Sequence, residues 1–112
     1  MSYDEKKLYL QNYAVYIAMA SRIRKMMITY PSEASRLLPK LKIALRICEN
    51  IENEIELVKP QLLSEILAQK YLGGKSLDEI AEVMNYSKRQ IERLHCLAIK
   101  KFEPFDLAHI IK

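Results

Sequence analysis

The chain contains very little glycine and cysteine. Its 112 residues include two glycines, Gly73 and Gly74, two cysteines and four prolines. One Gly-Gly pair cannot form a P-loop or a dinucleotide-binding fingerprint, and it cannot serve the many tight turns of a hairpin-rich β fold. Cys48 and Cys96 are far apart, and neither belongs to a Cys-x-x-Cys pair. A zinc ribbon and a disulfide framework are therefore excluded, and a reducing compartment is expected.

Long apolar runs are also missing. The longest, Tyr13 to Ala20, is far too short to cross a bilayer, and the first residues lack the apolar stretch of a secretion signal. Half of the residues are nevertheless hydrophobic, which is enough for a packed core. We expect a cytoplasmic protein that does not contact a membrane.

The hydrophobic pattern predicts an all-α fold that opens with a helical hairpin. Apolar residues recur at steps of three and four from the expected N-cap Asp4 to about Thr29, and Tyr30-Pro31 ends this helix. A second helix is predicted to begin either at Ser32 or, more firmly, near Leu41, with Pro39 tolerated in its first turn. Its apolar seam consists of Leu41, Ala44, Cys48, Ile51, Ile55 and Val58. The seam either packs against the first helix or joins a second copy of the chain.

Three further helices and a short terminal one are predicted after the hairpin. Pro60 starts a helix that ends at Gly73-Gly74. Capping boxes at Ser76 and Ser87 start two more, Leu77 to Met84 and a longer one reaching about Phe102. An apolar helix is predicted over 106–111. We therefore divide the chain into an N-terminal hairpin, 1–58, and a C-terminal unit, 59–112.

The spacing from Leu77 to Leu94 is that of a helix-turn-helix. The predicted inward-facing residues are Ile80, Met84, Ile91, Leu94 and Ile99. Ala81 suits a close helix crossing, Asn85 suits a left-handed turn, and Tyr86 is expected to plug the core after the turn. An ordinary helical hairpin with the same turn is the alternative.

The charges favour the nucleic-acid-binding interpretation. Residues 87–101 hold five basic residues against one acidic one, whereas the preceding helix is acidic. The candidate DNA-binding residues are Lys75, Ser76, Ser87, Lys88, Arg89, Gln90 and Arg93. Arg and Lys can bind guanine edges and Gln can bracket adenine, while Lys75, Ser76 and Ser87 are placed to bind phosphate through backbone donors at helix N-termini.

Other polar features favour simpler interpretations. A second basic cluster, from Arg22 to Arg46, is either a solvated face, a further phosphate contact or a surface for an acidic protein. His95 is expected at the surface, because no third metal ligand or base lies near His95-Cys96, and His109 stands alone. We find no carboxylate pair or triad, so we expect no enzyme activity, no cofactor and no metal.

The segment from Tyr71 to Phe102 resembles sigma-70 region 4, and it is similar to small phage and prophage transcriptional regulators of the ArpU/RinA type. The matching pairs and triplet are Tyr71-Leu72, Ile80-Ala81, Tyr86-Ser87, Arg93-Leu94-His95 and Ala98-Ile99. The resemblance implies that Lys88, Arg89 and Arg93 contact DNA. Region 4 commonly has an acidic residue where this chain has Arg89, so promoter preference does not carry over.

The sequence thus predicts a sequence-specific DNA-binding regulator of phage or prophage type. Its recognition helix, at about 87–101, enters the major groove of double-stranded DNA, and the chain forms a homodimer on paired half-sites. The resemblance implies a contact with RNA polymerase. The alternatives are the small subunit of a phage terminase and an RNA-polymerase-docking module that does not bind DNA.

Overall fold

The computed structural model describes residues 1–104, which form five helices and no strand. The helices are α1 (Tyr3–Thr29), α2 (Ala34–Glu56), α3 (Gln61–Leu67), α4 (Leu77–Met84) and α5 (Lys88–Lys101). A 3-10 turn, Pro31–Glu33, precedes α2, and a π-helical turn, Ala68–Leu72, follows α3. The predicted all-α fold with a long opening hairpin is confirmed. The predicted terminal helix at 106–111 and His109 lie outside the described residues.

The first helix begins earlier than predicted. Its N-cap is Ser2, whose hydroxyl accepts from the Glu5 N–H at 3.2 Å while the Glu5 carboxylate accepts from the Ser2 N–H at 3.1 Å. These hydrogen bonds lower the pKa of Glu5. The prediction of Asp4 as the cap is wrong because Lys7 follows it by three residues, and lysine cannot accept the returning backbone hydrogen bond.

The two long helices pack along their predicted seams. All six seam residues from Leu41 to Val58 are buried, as are Tyr9, Ala20 and Ile23 on α1. At the end of the hairpin that lies away from the C-terminal helices, the core consists of Ala20, Ile23, Leu37, Leu41 and Ala44. The seam therefore packs against α1, the first of the two predicted alternatives.

The second helix passes through Pro39 instead of beginning after it. Leu37 lies four residues before Leu41 on the same seam, and its burial holds the extra turns against α1. Pro39 is the sixth helical residue and is exposed, so the main loss is the hydrogen bond that a backbone N–H there would donate to the Ser35 carbonyl. Packing of Leu37 outweighs this loss, so the preferred start near Leu41 is wrong and the helix begins two residues after the alternative start, Ser32.

The base of the hairpin shares its core with the helices that follow. One cluster contains Tyr9, Leu10, Ile51, Ile55, Val58, Leu63, Leu67, Tyr71, Ala98, Ile99 and Phe102. The Lys6 ammonium donates to the Lys100 carbonyl at 3.0 Å, and the Tyr9 hydroxyl donates to buried Glu54 at 2.5 Å. The predicted boundary after residue 58 therefore falls inside a common core, and α5 is held directly against α1.

Replacing Pro39 with alanine is expected to stabilise the fold by about 1–3 kcal/mol, because the Ser35 carbonyl regains a helical partner. Urea unfolding followed by circular dichroism measures the change. Pro31→Ala is the control, since Pro31 begins the 3-10 turn and withholds no hydrogen bond there. A Pro39→Ala midpoint equal to that of the unmodified chain would contradict this account of α2.

Candidate nucleic-acid interface

A turn that contains Gly73 and Gly74 connects the π-helical turn to α4, the first helix of the candidate interface. The Gly73 N–H donates to the Ala68 carbonyl at 2.9 Å, which closes the π-helical turn, and Gly74 adopts the left-handed backbone with φ 69°. A β-carbon at Gly73 would lie 2.7 Å from the Gln69 carbonyl oxygen, so glycine is required there on steric grounds. The predicted helix stop at Gly73-Gly74 is confirmed, with Gly74 as the left-handed residue.

A left-handed turn then joins α4 to α5. Ser76 and Glu79 form a capping box at the start of α4, with hydrogen bonds of 3.1 and 3.2 Å. Asn85 ends the helix at φ 59° and ψ 44°, and the Tyr86 N–H donates to the Ala81 carbonyl at 2.9 Å. The predicted role of Asn85 is therefore confirmed, because this backbone conformation favours Gly and Asn.

The two helices of this turn pack on α3 through a small core. Ile66, Ile80, Ala81 and Ile91 are buried together. Leu62, Leu77, Met84 and Leu94 cover the edge of this cluster. The predicted inward positions are confirmed, and Ala81 lies among them. Tyr86 does not plug the core, since its side chain is 38% exposed and leucine and methionine side chains already cover the cluster.

The predicted base-reading side chains lie on the outer face of α5. Ser87 and Gln90 form the capping box of this helix, with hydrogen bonds of 3.0 and 3.1 Å. Ile91, Ala98 and Ile99 are buried on the opposite face. Ser87, Lys88, Arg89, Gln90 and Arg93 are exposed, and the acidic Glu92 is exposed among them. All five predicted residues are therefore accessible to solvent near the start of α5.

The helix N-termini offer different donors from those predicted. The Lys75 N–H donates to the Gln69 carbonyl and the Ser76 N–H to the Glu79 carboxylate, so neither can also bind a phosphate. Ser87 likewise donates its N–H to Gln90. On α5 the first-turn N–H groups of Lys88 and Arg89 remain, since the first turn of a helix has no internal acceptors for them.

The two N-termini also differ in charge. The first turn of α4 contains Asp78 and Glu79, whereas the first turn of α5 contains no acidic residue. A carboxylate at the N-terminus of α4 repels an anion, while the amide of Gln90 caps α5 without charge. The start of α5 is therefore the more favourable of the two positions for a phosphate.

One basic residue of the surface has an ion-pair partner. The Lys88 ammonium lies 3.2 Å from the Asp78 carboxylate, and both side chains are mostly exposed. Within residues 1–104, Arg89 and Arg93 form no salt bridge. Sequence patterns missed the Lys88–Asp78 pair because the turn at Asn85, not the ten-residue separation, brings the two side chains together.

His95 is a core residue and not a surface residue as predicted. Its side chain is 5% exposed, and its Nε2 lies 2.8 Å from the Tyr71 hydroxyl. Burial lowers the pKa of His95 to about 4, with nearby Lys70 and Lys7 acting in the same direction. The prediction failed because His95 lies one turn from Ile91 and Ile99, on the buried face, where Tyr71 supplies a polar partner.

The hydroxyls of three other tyrosines also meet polar groups distant in sequence. Tyr13 donates to Glu52 at 2.8 Å and Tyr3 to the Cys96 sulfur at 3.4 Å, in addition to the Tyr9–Glu54 contact. Burial chiefly raises the pKa of Tyr13 to about 12, and the hydrogen bond to Cys96 chiefly raises that of Tyr3 to about 12. No spacing rule connects such pairs, which lie on different helices.

The second basic cluster lies on the hairpin, away from the turn of α4 and α5. Its members are the exposed residues Arg22, Arg24, Lys25, Arg36, Lys40, Lys42 and Arg46. Arg36 pairs with Glu33 at 2.6 Å. The structure does not join this cluster to the predicted DNA-binding residues in one site.

In the described part of the chain, no group of three potential metal ligands occurs, and no helix is long and apolar enough to span a membrane. No protein-family model, curated protein or solved structure matches the chain.

The left-handed backbone at Asn85 generates a stability prediction. Asn85→Val should destabilise the fold by about 1–2 kcal/mol, because a β-branched residue is strained at positive φ. Asn85→Gly, the matched control, should change the free energy of unfolding by less than about 0.5 kcal/mol. Equal urea midpoints for the two variants would contradict the turn geometry.

The buried imidazole generates a pH dependence. Because the pKa of His95 is lower in the folded chain than the usual 6.5, the unfolded state binds the proton first as pH falls. Stability should therefore decrease below pH 6.5, by about 2 kcal/mol between pH 7 and pH 5. Urea unfolding at both values measures this loss.

His95→Gln serves as the control for that experiment. The variant should lose most of the difference between pH 7 and pH 5, because glutamine does not titrate. A wild-type chain with the same unfolding free energy at both values would show that His95 is not held neutral in the core.

Proposed function

We propose that this chain is a sequence-specific DNA-binding protein and a transcriptional regulator of phage or prophage type, with α5 as its recognition helix. The observation that supports this best is the exposed face of α5. Arg89 and Arg93 lie one turn apart there, directly after a left-handed turn, and without a carboxylate partner among the described residues. An arginine pair at the start of the second helix is suited to the major groove.

The hydrogen bonds and the ion pair of the first turn of α5 determine which of its side chains are free to bind DNA. Arg89 and Arg93 are available for the bidentate hydrogen bonds that guanine edges accept. Gln90 would first have to release the Ser87 N–H before it could bracket adenine, and Lys88 would have to leave Asp78. The arginines are therefore the leading candidates for base contacts, and the amides of Lys88 and Arg89 for a phosphate.

Transcription regulation rests on the resemblance of Tyr71 to Phe102 to sigma-70 region 4. The residues of that resemblance lie at the end of the π-helical turn, in α4, in the turn after it and in α5, with Ile80, Ala81 and Ile99 in the core. The local geometry is thus compatible with the function that the resemblance implies. We infer a regulatory rather than an enzymatic role, because the surface of α5 offers base and phosphate contacts.

The proposal predicts salt-sensitive binding. Fluorescence anisotropy with a mixed-sequence duplex should show a large loss of affinity between 50 and 200 mM salt, as phosphate contacts require. Arg93→Ala and Arg89→Ala should each weaken binding about tenfold, while the free energy of unfolding changes by less than about 0.5 kcal/mol. Asp78→Asn should strengthen binding, because it releases Lys88.

Lys101→Ala is the charge-matched control, since Lys101 is exposed at the other end of α5. This variant should bind almost as tightly as the unmodified chain. Absent or salt-independent DNA binding would contradict the proposal and favour the docking-module alternative. A ring of eight or more subunits would instead point to the terminase alternative.

A further inference from the structure

An apolar groove runs along one side of the hairpin. The space is about 400 Å³ and lies between α1 and α2, with Met19, Met26 and Ile43 among its apolar walls. By helical periodicity, Val15 lies on the Met19 side of α1 and Ile47 on the Ile43 side of α2, each one turn nearer the base. We call these five residues the open groove. Ile43 in the groove wall is 61% exposed, and Val15, one turn beyond the lining residue Met19, is 57% exposed, so apolar surface continues past the groove itself.

The hairpin by itself cannot cover this groove. Two helices form a single layer, so side chains on the flanks of their contact remain in water unless a further helix packs there. The core of this region is small, with two alanines among its five buried residues. The described C-terminal helices do not reach the groove, since α5 contacts the opposite flank of α1 through Lys6.

The charge distribution of the hairpin indicates which partner fits. Residues 22–46 hold seven basic residues against one acidic one, and Arg22, Arg36 and Lys40 border the groove. The half of the hairpin nearer the C-terminal helices is acidic, since residues 3–20 and 47–56 together hold six acidic residues against two basic ones. Each hairpin therefore has a basic half and an acidic half along the same axis. Two parallel copies would oppose like charges, whereas two antiparallel copies place each basic half beside an acidic half.

We propose that a second copy of this chain packs antiparallel on the open groove and completes a four-helix bundle. The two-fold axis passes near Met19, between the apolar positions of both copies. The arrangement buries Val15 and Ile43 and separates the basic ends of the two hairpins. This interface differs from the seam of α2, which α1 already covers.

The proposed dimer deepens the DNA-binding proposal and rests on it in one respect. With a helix rise of 1.5 Å per residue, the bases of two antiparallel hairpins lie roughly 30 Å apart. Because each base holds its own α5, the two recognition helices would be separated by a distance close to one turn of DNA, about 34 Å. The hairpin would then set the spacing between half-sites.

The oligomeric state tests the interface without DNA. Sedimentation equilibrium of the full chain at tens of micromolar should give a mass twice the 13.1 kDa of one copy. The double variant Val15→Glu/Ile43→Glu should sediment as a monomer with an unchanged helical spectrum, since both side chains are exposed in one copy. A monomeric wild-type chain would overturn the proposal, whichever other partner then occupies the groove.

The matched control for these substitutions is Ile28→Glu. Ile28 is 79% exposed and lies roughly 160° around α1 from Met26, on the other side of the hairpin. This variant should remain a dimer. If Ile28→Glu became a monomer while the double variant remained a dimer, the contact would lie on the Ile28 side of the hairpin. That result would overturn the proposed groove.

Cysteine cross-linking tests the orientation and does not depend on the glutamate variants. In a Cys96→Ser background, which removes the exposed native thiol, Met19→Cys should form a disulfide dimer because its two copies meet near the axis. Met26→Cys should not, because antiparallel packing separates its copies. Efficient cross-linking at both positions would indicate parallel helices and overturn the orientation.

These measurements separate the two proposals from each other. A dimer that fails to bind DNA would contradict the proposed function and leave the interface standing. A monomer that binds DNA in a salt-dependent way would contradict the interface and leave the proposed function standing.

Discussion

The structure depends on one hydrophobic cluster at the base of the hairpin. Leu10, Ile51, Leu67, Ile99 and Phe102 come from four helices and the residue that follows α5, and each is almost completely buried. Their contacts fix α5 against α1 and thereby orient the exposed face of the candidate recognition helix. The hairpin and the shorter helices after it, which would each bury too little apolar surface alone, are stabilised by sharing this core.

Polar groups inside and beside this cluster are paired rather than excluded. Tyr9 donates to Glu54, and Tyr71 lies within hydrogen-bonding distance of His95. Such pairs avoid the penalty of an unsatisfied buried polar group, and burial explains why the raised pKa values of the tyrosines and the lowered pKa of His95 occur together. These polar contacts join α1 to α2 and the π-helical turn to α5.

The positive charge is divided between two places with different surroundings. On α5, Arg89 and Arg93 stand on a polar, solvent-facing surface that begins at a neutral capping box. On the hairpin, Arg22 and Lys40 border an apolar groove. The first setting suits the edges of bases and phosphates, whereas the second suits a helical surface with apolar and acidic side chains. The basic residues of α5 and those of the hairpin therefore suit different partners.

The sequence alone determined the features that depend on neighbours within a few residues. The boxes at Ser76 and Ser87, the stop at Gly74 and the turn at Asn85 could be predicted because their hydrogen bonds and backbone angles are local. Most inward positions of α4 and α5 followed from helical periodicity. Tertiary structure alone decided the continuation of α2 through Pro39, the burial of His95, the exposure of Tyr86 and the Lys88–Asp78 pair. Each of these depends on how helices distant in sequence, or on either side of a turn, pack together, which spacing along the chain does not encode.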